Sequence, residues 1–143
     1  MMNSKLQNGS IGYLLIQVCK IRRNRANQLL AEYDIHAGQD VLLYYLGQED
    51  GQTISDLVGK ISISHATIVR MIDRMEANNL IRKVKDSDDM RVSRIFLTDD
   101  GKQALQNVSA VWQELERQTL QGISEEEEEQ LKKKLRNILD NFM

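Results

Sequence analysis

Residues 53–98 carry the tightest constraint in the chain. Two short amphipathic helical runs stand almost end to end and lead directly into two strand-like runs around a polar turn. In the first run Ile54, Leu57, Val58 and Ile61 recur at i, i+3, i+4 and i+7, one face of a helix. Thr53 is placed to cap it, with Asp56 three residues on, near the positive end of the helix dipole. A second helix is expected from Ser64, burying Ile68, Met71, Ile72 and Met75. Asn78 and Asn79 close it, because asparagine tolerates the left-handed conformation at a helix C-terminus better than most residues. "LIRKVK", the acidic "DSDDM" and "RIFLT" then read as a β-hairpin. Helix, tight turn, helix and hairpin in immediate succession is the arrangement of a winged helix-turn-helix.

The flanks are helical. Ile11, Leu14, Leu15, Val18, Ala26, Leu29, Leu30 and Tyr33 follow a helical period that Arg22, Arg23 and Arg25 interrupt. Val41, Leu42, Tyr45 and Leu46 repeat it, and Gly47 and Gly51 bracket a polar loop. After the hairpin, Ala104, Leu105, Val108, Val111, Trp112 and Leu115 form one stripe, which Gly122 breaks. Ser124 caps a last helix, with Glu127 placed for a capping box and Leu131, Leu135, Ile138, Leu139 and Phe142 on its apolar face. The fold class expected is mainly α with a small β-hairpin wing: a winged helix-turn-helix over residues 35–99, flanked by dimerisation helices in 1–34 and 100–143. A terminal helix with so clean a stripe has little in its own chain to cover it, although docking on its own domain is the other option. The acidic run Glu125–Glu129 and the lysines Lys132–Lys134 read as dipole and i,i+4 pairing on a solvated face.

Composition narrows the function classes. Of the 143 residues, 41% are hydrophobic and 28% charged, which suits a packed domain rather than a low-complexity chain. No apolar run approaches the roughly 18 residues of a membrane span, and no secretion signal is visible, so a cytoplasmic protein is expected. The single cysteine, Cys19, rules out an intramolecular disulfide, and two histidines leave a zinc site without ligands. No nucleophile–base pair, glycine-rich phosphate loop or metal cluster is present, so neither an enzyme nor a cofactor is expected. Asp86, Asp88 and Asp89 suggest a Mg²⁺ site less than ion pairing with the arginines beside them. The net charge is −2, but it is unevenly spread. Residues 53–98 hold eight cationic against six acidic side chains, whereas 99–143 hold six against ten. Distribution outweighs the total when the partner is a polyanion.

A helix entering the major groove keeps one face for its own core and offers the other to base edges. On the second helix that other face carries Ala66, Thr67, Arg70 and Arg74. Arg70 suits a bidentate guanine contact, and Thr67 or Ala66 a thymine methyl. Ser64 and His65 stand at the helix start, where backbone N–H groups favour phosphate. A solvated polar face with no ligand explains the same residues about as well. On the hairpin, Arg91 and Arg94 follow the acidic tip, and arginine suits the narrow, electronegative minor groove. Asp89, two residues before Arg91, is placed to aim it, with Asp86 or Asp88 in support. Aspartate's liking for turns accounts for the acids but not for the arginines.

The run "ISDLVGKISISHATIVRMIDRMEANNLIRKVKDSDDMRVSRIFLTDDGK" resembles the DNA-binding core of the MarR family, regulators of the multiple-antibiotic-resistance type. "DDMRVSR" is similar to its D-x-R-x-x-R wing, with Asp89, Arg91 and Arg94 in the matching places. "IHAGQDVLLYYL" resembles the family's second helix, so the likeness spans residues 35–102. Ser87 departs from the usual proline, Met90 from a basic residue, Asn79 from glycine, and His36 stands at the usual threonine cap of the second helix. The resemblance implies a homodimer that binds double-stranded DNA at a pseudo-palindrome, most often as a repressor. It also implies release by a small phenolic or aromatic effector; Tyr13, His36 and Tyr45 are candidates to line its pocket, with Tyr33 and Tyr44 in reserve. One branch of the family senses peroxide through a cysteine, which makes Cys19 a redox candidate; a buried structural thiol is the expectation preferred here. A winged-helix module that binds protein instead of DNA is the competing class, and the four arginines of the presented face speak against it.

Overall fold

The computed structural model describes residues 9–143. The first eight residues of the proposed N-terminal segment 1–34 lie outside the described residues. The elements run α1 (Ile11–Ala31), α2 (Gln39–Gln48), β1 (Gln52–Thr53), α3 (Ile54–Ile61), α4 (His65–Ala77), β2 (Ile81–Lys85), β3 (Ser93–Leu97), α5 (Asp99–Thr119) and α6 (Glu125–Asp140).

The expected caps form. Thr53 Oγ1 accepts from the Asp56 N–H at 3.1 Å while the Asp56 carboxylate accepts from the Thr53 N–H at 3.0 Å. Those bonds from Thr53 hold the Asp56 carboxyl below the usual carboxylate range. Thr53→Ala is expected to cost about 1 kcal/mol, read as a lower midpoint in urea unfolding at unchanged slope. Ser64 accepts from the Thr67 N–H, and Ser124 and Glu127 close a second capping box. Asn79 sits at φ 61°, the left-handed turn that lets the chain leave α4 for β2.

One core joins all parts of the chain except α6. Leu30 of α1, Leu42, Leu43 and Leu46 of α2, Leu57, Ile68 and Met75 of the helix-turn-helix, and Val108 of α5 belong to one buried cluster. The segments 1–34, 35–99 and 100–143 therefore share a core. Leu43 is an addition to the residues the period marked on α2, while Val41 and Tyr45 are only half-buried.

Several expectations need correction. The hairpin is the larger part of a three-stranded antiparallel sheet of order β1–β3–β2, with Gln52 opposite Ile95 and Ile81 opposite Leu97. A two-residue strand has no alternation to read; Gln52 is instead buried, with Nε2 donating to the Tyr45 and Glu49 carbonyls and Oε1 accepting from Lys60. Gly47 lies inside α2 rather than in a loop, where any Cβ would press on Leu105 of α5. His36 is not the cap of α2. Gly38 is, at φ 88°, and His36 and Gln39 instead exchange two bonds, Gln39 Oε1 accepting the His36 N–H at 3.1 Å and the His36 carbonyl accepting the Gln39 N–H at 3.0 Å. Cys19 is exposed, not buried. It lies in the half of α1 that precedes the part covered by the core, where Ala26 and Leu30 are the buried residues.

Two apolar surfaces stay uncovered. The first half of α1 exposes Ile11, Leu14, Leu15, Val18 and Ile21, and α6 buries no residue while exposing Leu131, Leu135 and Leu139, with Phe142 exposed just beyond its end. Docking of α6 on its own domain is therefore not what the chain does. Among the described residues no helix is long and apolar enough to cross a membrane.

Candidate nucleic-acid interface

Helix α4 turns Ile68, Ile72 and Met75 into the core and leaves His65, Ala66, Arg70 and Arg74 exposed. Met71 is only partly buried. Thr67 is half-covered, its hydroxyl 2.8 Å from that of Ser64, so one of the two hydroxyls donates to the other at the helix start. Among the described residues no carboxylate pairs with Arg70 or Arg74, whereas Lys83 of the neighbouring strand is held by Asp73 and Glu76, which raise its pKa. Thr67, Arg70, Met71 and Arg74 line a cleft of about 250 Å³ with His36 and Ala37. His36 thus stands beside α4.

The wing shows why acids precede its arginines. Asp86 Oδ2 accepts the Asp89 N–H at 3.1 Å and fixes the turn. Asp89 then takes Arg91 in a fork, Oδ1 to Nε at 3.0 Å and Oδ2 to Nη2 at 3.2 Å, with the Arg91 N–H also on Oδ1 at 3.0 Å. The side chain remains 91% exposed, so the outer edge of its guanidinium is free to donate. Arg94 is held differently. It donates from Nε to Asp86 Oδ1 at 2.8 Å and from Nη1 to the Gly51 carbonyl at 2.9 Å, tying the wing to the loop before β1. The two arginines weighed together in the sequence have different geometries: Arg91 points outward from an anchor, and Arg94 is a brace between strands. Asp88 makes no such contact among the described residues. The bonds from Arg94 and Arg91 depress the Asp86 and Asp89 carboxyls respectively. A depressed carboxyl keeps its pair above the ordinary carboxylate range and loses it only as pH falls through the lowered value, so both pairs persist at neutral pH.

Sequence reasoning missed part of this surface. β2 is an edge strand with Arg82, Lys83, Val84 and Lys85 all exposed. Arg82 and Lys85 repel edge pairing and add positive charge to the wing, while Lys83 is paired with Asp73 and Glu76. The signal lies in "IRKVK", a run that reads as a strand whether or not its cations serve a ligand.

Tyr13, His36 and Tyr45 do not line one cavity. Tyr13 accepts from Gln17 at 3.1 Å near the start of α1, and His36 lies by α4. An aromatic-lined cleft of about 460 Å³ lies instead between α2 and α5, lined by Tyr44, Gly47, Leu105, Val108 and Trp112. Tyr44 packs on Trp112 with ring centres 5.2 Å apart and takes Tyr45 edge-on at 5.3 Å. Consecutive helical residues point about 100° apart, so Tyr44 and Tyr45 cannot both face the cavity. Cys19 shares a second cavity with Arg22 and Arg23, yet both arginines turn to acids, Arg22 to Glu116 at 3.7 Å and Arg23 to Asp40 at 3.1 Å. Among the described residues no cluster of His, Cys, Asp and Glu is arranged to hold a metal.

Comparison with known proteins places this geometry. The family model described as MarR family matches residues 35–93. The HTH-type transcriptional regulator YsmB of Bacillus subtilis (strain 168) is 34% identical over 113 residues, 79% of this chain and 77% of its own length. The HTH-type transcriptional regulator BilQ of Clostridioides difficile (strain CD3) is 22% identical over 94% of this chain and 91% of its own. Among solved structures, the S. aureus MepR–DNA complex superposes with a TM-score of 0.82 at 27% identity, over 94% of this chain and 98% of that one. A cysteine-to-serine mutant of E. coli MarR with operator DNA gives 0.84 at 20% identity, over 96% and 99%.

Proposed function

Since the chain belongs to the MarR family and is a DNA-binding transcriptional regulator, we propose that it acts as a homodimeric repressor that reads a pseudo-palindromic operator with α4 in the major groove and the β2–β3 wing on the adjacent minor groove. The observation that carries this reading is the contrast in cation pairing. Arg70 and Arg74 stand without carboxylate partners, and Arg91 is gripped from behind by Asp89 with its outer edge free. In this reading Arg70 contacts bases, helped by Ala66 and Thr67. Ser64, His65 and Arg74 hold phosphates, and Arg94 with Asp89 keeps the wing and Arg91 in place. The lobe is residues 35–99, with dimerisation regions in 1–34 and 100–143. A regulator of this kind works where the chromosome is, in the cytoplasm, and performs no catalysis.

The partner subunit is the occupant proposed for the bare faces of α1 and α6. Leu135→Asp combined with Leu139→Asp is expected to convert the dimer to monomer in sedimentation equilibrium and leave the helix content nearly unchanged, because neither side chain is buried in its own chain. A dimer that survives both charges would place the interface elsewhere.

Selection of bound sequences from a random duplex pool tests the reading as a whole. An inverted repeat with half-site centres about 10 base pairs apart is expected, with affinity falling steeply as salt rises. Failure to retard any duplex at low salt would favour the protein-interaction module instead. Effector response is the finer part of the proposal, and the cavity beside Trp112 supports it. Phenolic compounds should quench the emission of this sole tryptophan and release operator together. Peroxide should release operator only if the exposed Cys19 is the sensor.

A further inference from the structure

The least expected group in the core is the carboxylate of Asp40. Its side chain is 0% exposed at the second position of α2, and none of the DNA or effector chemistry above uses it. It accepts from Arg23 Nη1 of α1 on both oxygens, at 3.2 and 3.1 Å, and from Trp112 Nε1 of α5 at 3.1 Å on Oδ2. One anion therefore joins the two long helices that flank the lobe to the first helix of the lobe itself. Arg22 and Glu116 add a weaker link between α1 and α5 beside it.

A carboxylate buried against a half-exposed arginine is a poor way to gain stability, since apolar side chains of similar size usually do as well or better in such a place. Its distinctive property is direction. Leucine at this position would pack on α1 and α5 at a range of tilts, whereas a carboxylate that accepts three hydrogen bonds from two donor groups on two helices allows one. Helices α3 and α4 share the core with α2, so the tilt of α2 sets where α4 stands relative to α1 and α5. In a dimer built on α1, α5 and α6, that tilt sets the distance between the two copies of α4. One base pair advances about 3.4 Å along the duplex and turns about 35° around it, so a small tilt is enough to miss a half-site.

We propose that Asp40 is a positioning residue for DNA recognition: through Arg23 and Trp112 it locks the lobe at the angle that selects the spacing between operator half-sites. This rests on the homodimeric reading above. The test uses the full chain, as the parent, Asp40→Asn and Trp112→Phe, against the operator selected by the parent. The same half-sites are then moved apart and together by one and two base pairs, and affinities are read by fluorescence anisotropy. The preference of the parent for the selected spacing should shrink about tenfold in Asp40→Asn, the scale of a lost charge-assisted bond. It should shrink less in Trp112→Phe, which keeps the ring against Tyr44 but removes the N–H. In Asp40→Asn the emission of Trp112 should shift while circular dichroism stays at the parental value. Equal weakening on every spacing, with the preference retained, would make Asp40 a purely structural residue and overturn the proposal. Should Asp40→Asn fail to fold, Trp112→Phe decides it in the same way. Arg70→Ala separates the two readings. If it abolishes operator binding while Asp40→Asn keeps the spacing preference, DNA recognition stands and this inference alone falls. If the parent selects no duplex, both fall.

Discussion

Gly101→Ala is expected to destabilise the protein by about 3 kcal/mol, the upper range for overpacking a tight site, and to lower its melting temperature by roughly 10 °C. Helix propensity alone predicts the opposite, because alanine is favoured over glycine within a helix by about 1 kcal/mol. Gly101 is the third residue of α5, buried, and its N–H donates to the capping hydroxyl of Thr98 at 3.0 Å. A Cβ here would overlap the Leu80 carbonyl oxygen and press on Leu97. That carbonyl accepts the Thr98 N–H at 3.1 Å, so it cannot retreat without breaking the junction between sheet and helix. The added methyl meets backbone, not the end of a flexible side chain, and backbone yields at high cost. Gly59 of α3 is the control. No atom lies within 4 Å of a Cβ built there, so Gly59→Ala should raise stability by about 0.5–1 kcal/mol. Thermal and urea unfolding of the two variants should therefore move in opposite directions. A neutral or stabilising Gly101→Ala would mean that α5 does not start against Leu80.

Removal of the wing arginine is expected to have the other large effect. With two wings in the proposed dimer, Arg91→Ala should weaken binding to operator and to unrelated duplex by similar factors, on the order of 100-fold. It should also reduce the salt slope by about two, one lost phosphate-groove contact per wing. Arg70→Ala should cost as much on operator but much less on unrelated duplex, because a base contact specifies sequence where a phosphate contact only positions. Asp89→Ala gives the sharpest sign test. Removing an anion next to a polyanion favours binding by Coulomb's law, but it also frees Arg91, whose fork is set by two bonds to that carboxylate. An exposed arginine left with its full rotamer freedom loses more on binding than one screened like charge returns. Asp89→Ala should therefore bind operator more weakly, by about tenfold. Tighter binding would show that Asp89 is a charge the interface merely tolerates.

Local order accounts for what was legible in the chain. The caps Thr53 and Ser124 act on N–H groups three residues away, and Asn79 turns the chain by its own φ, so residue type at one position is enough to read them. The stripe Ile68, Ile72 and Met75 is equally local, because helical period and burial coincide there. The wing motif was readable as a pattern, with Asp89 beside Arg91, but the pattern gave Arg91 and Arg94 one task. Their separation depends on Gly51, 43 residues from Arg94, whose carbonyl is a backbone group with no residue-type signal. The place of His36 is hidden from the sequence for a related reason. On the helix it would be a cap, whereas the left-handed Gly38 moves it outside and toward α4.

The order of helices and hairpin, the capped ends, the inward face of α4 and the acid–arginine wing follow from the residues alone, because each depends on neighbours within about one or two helical turns. The folded chain decided which cations are free and which are spent, that Cys19 is outside and Asp40 inside, and that Gly101 must stay glycine. Each of those depends on groups brought together from far along the chain, Asp40 with Trp112 at 72 residues' separation and Gly101 with Leu80 across a strand and a wing. Burial and pairing of a polar side chain are properties of the partner as much as of the residue, and a single residue type does not encode its partner.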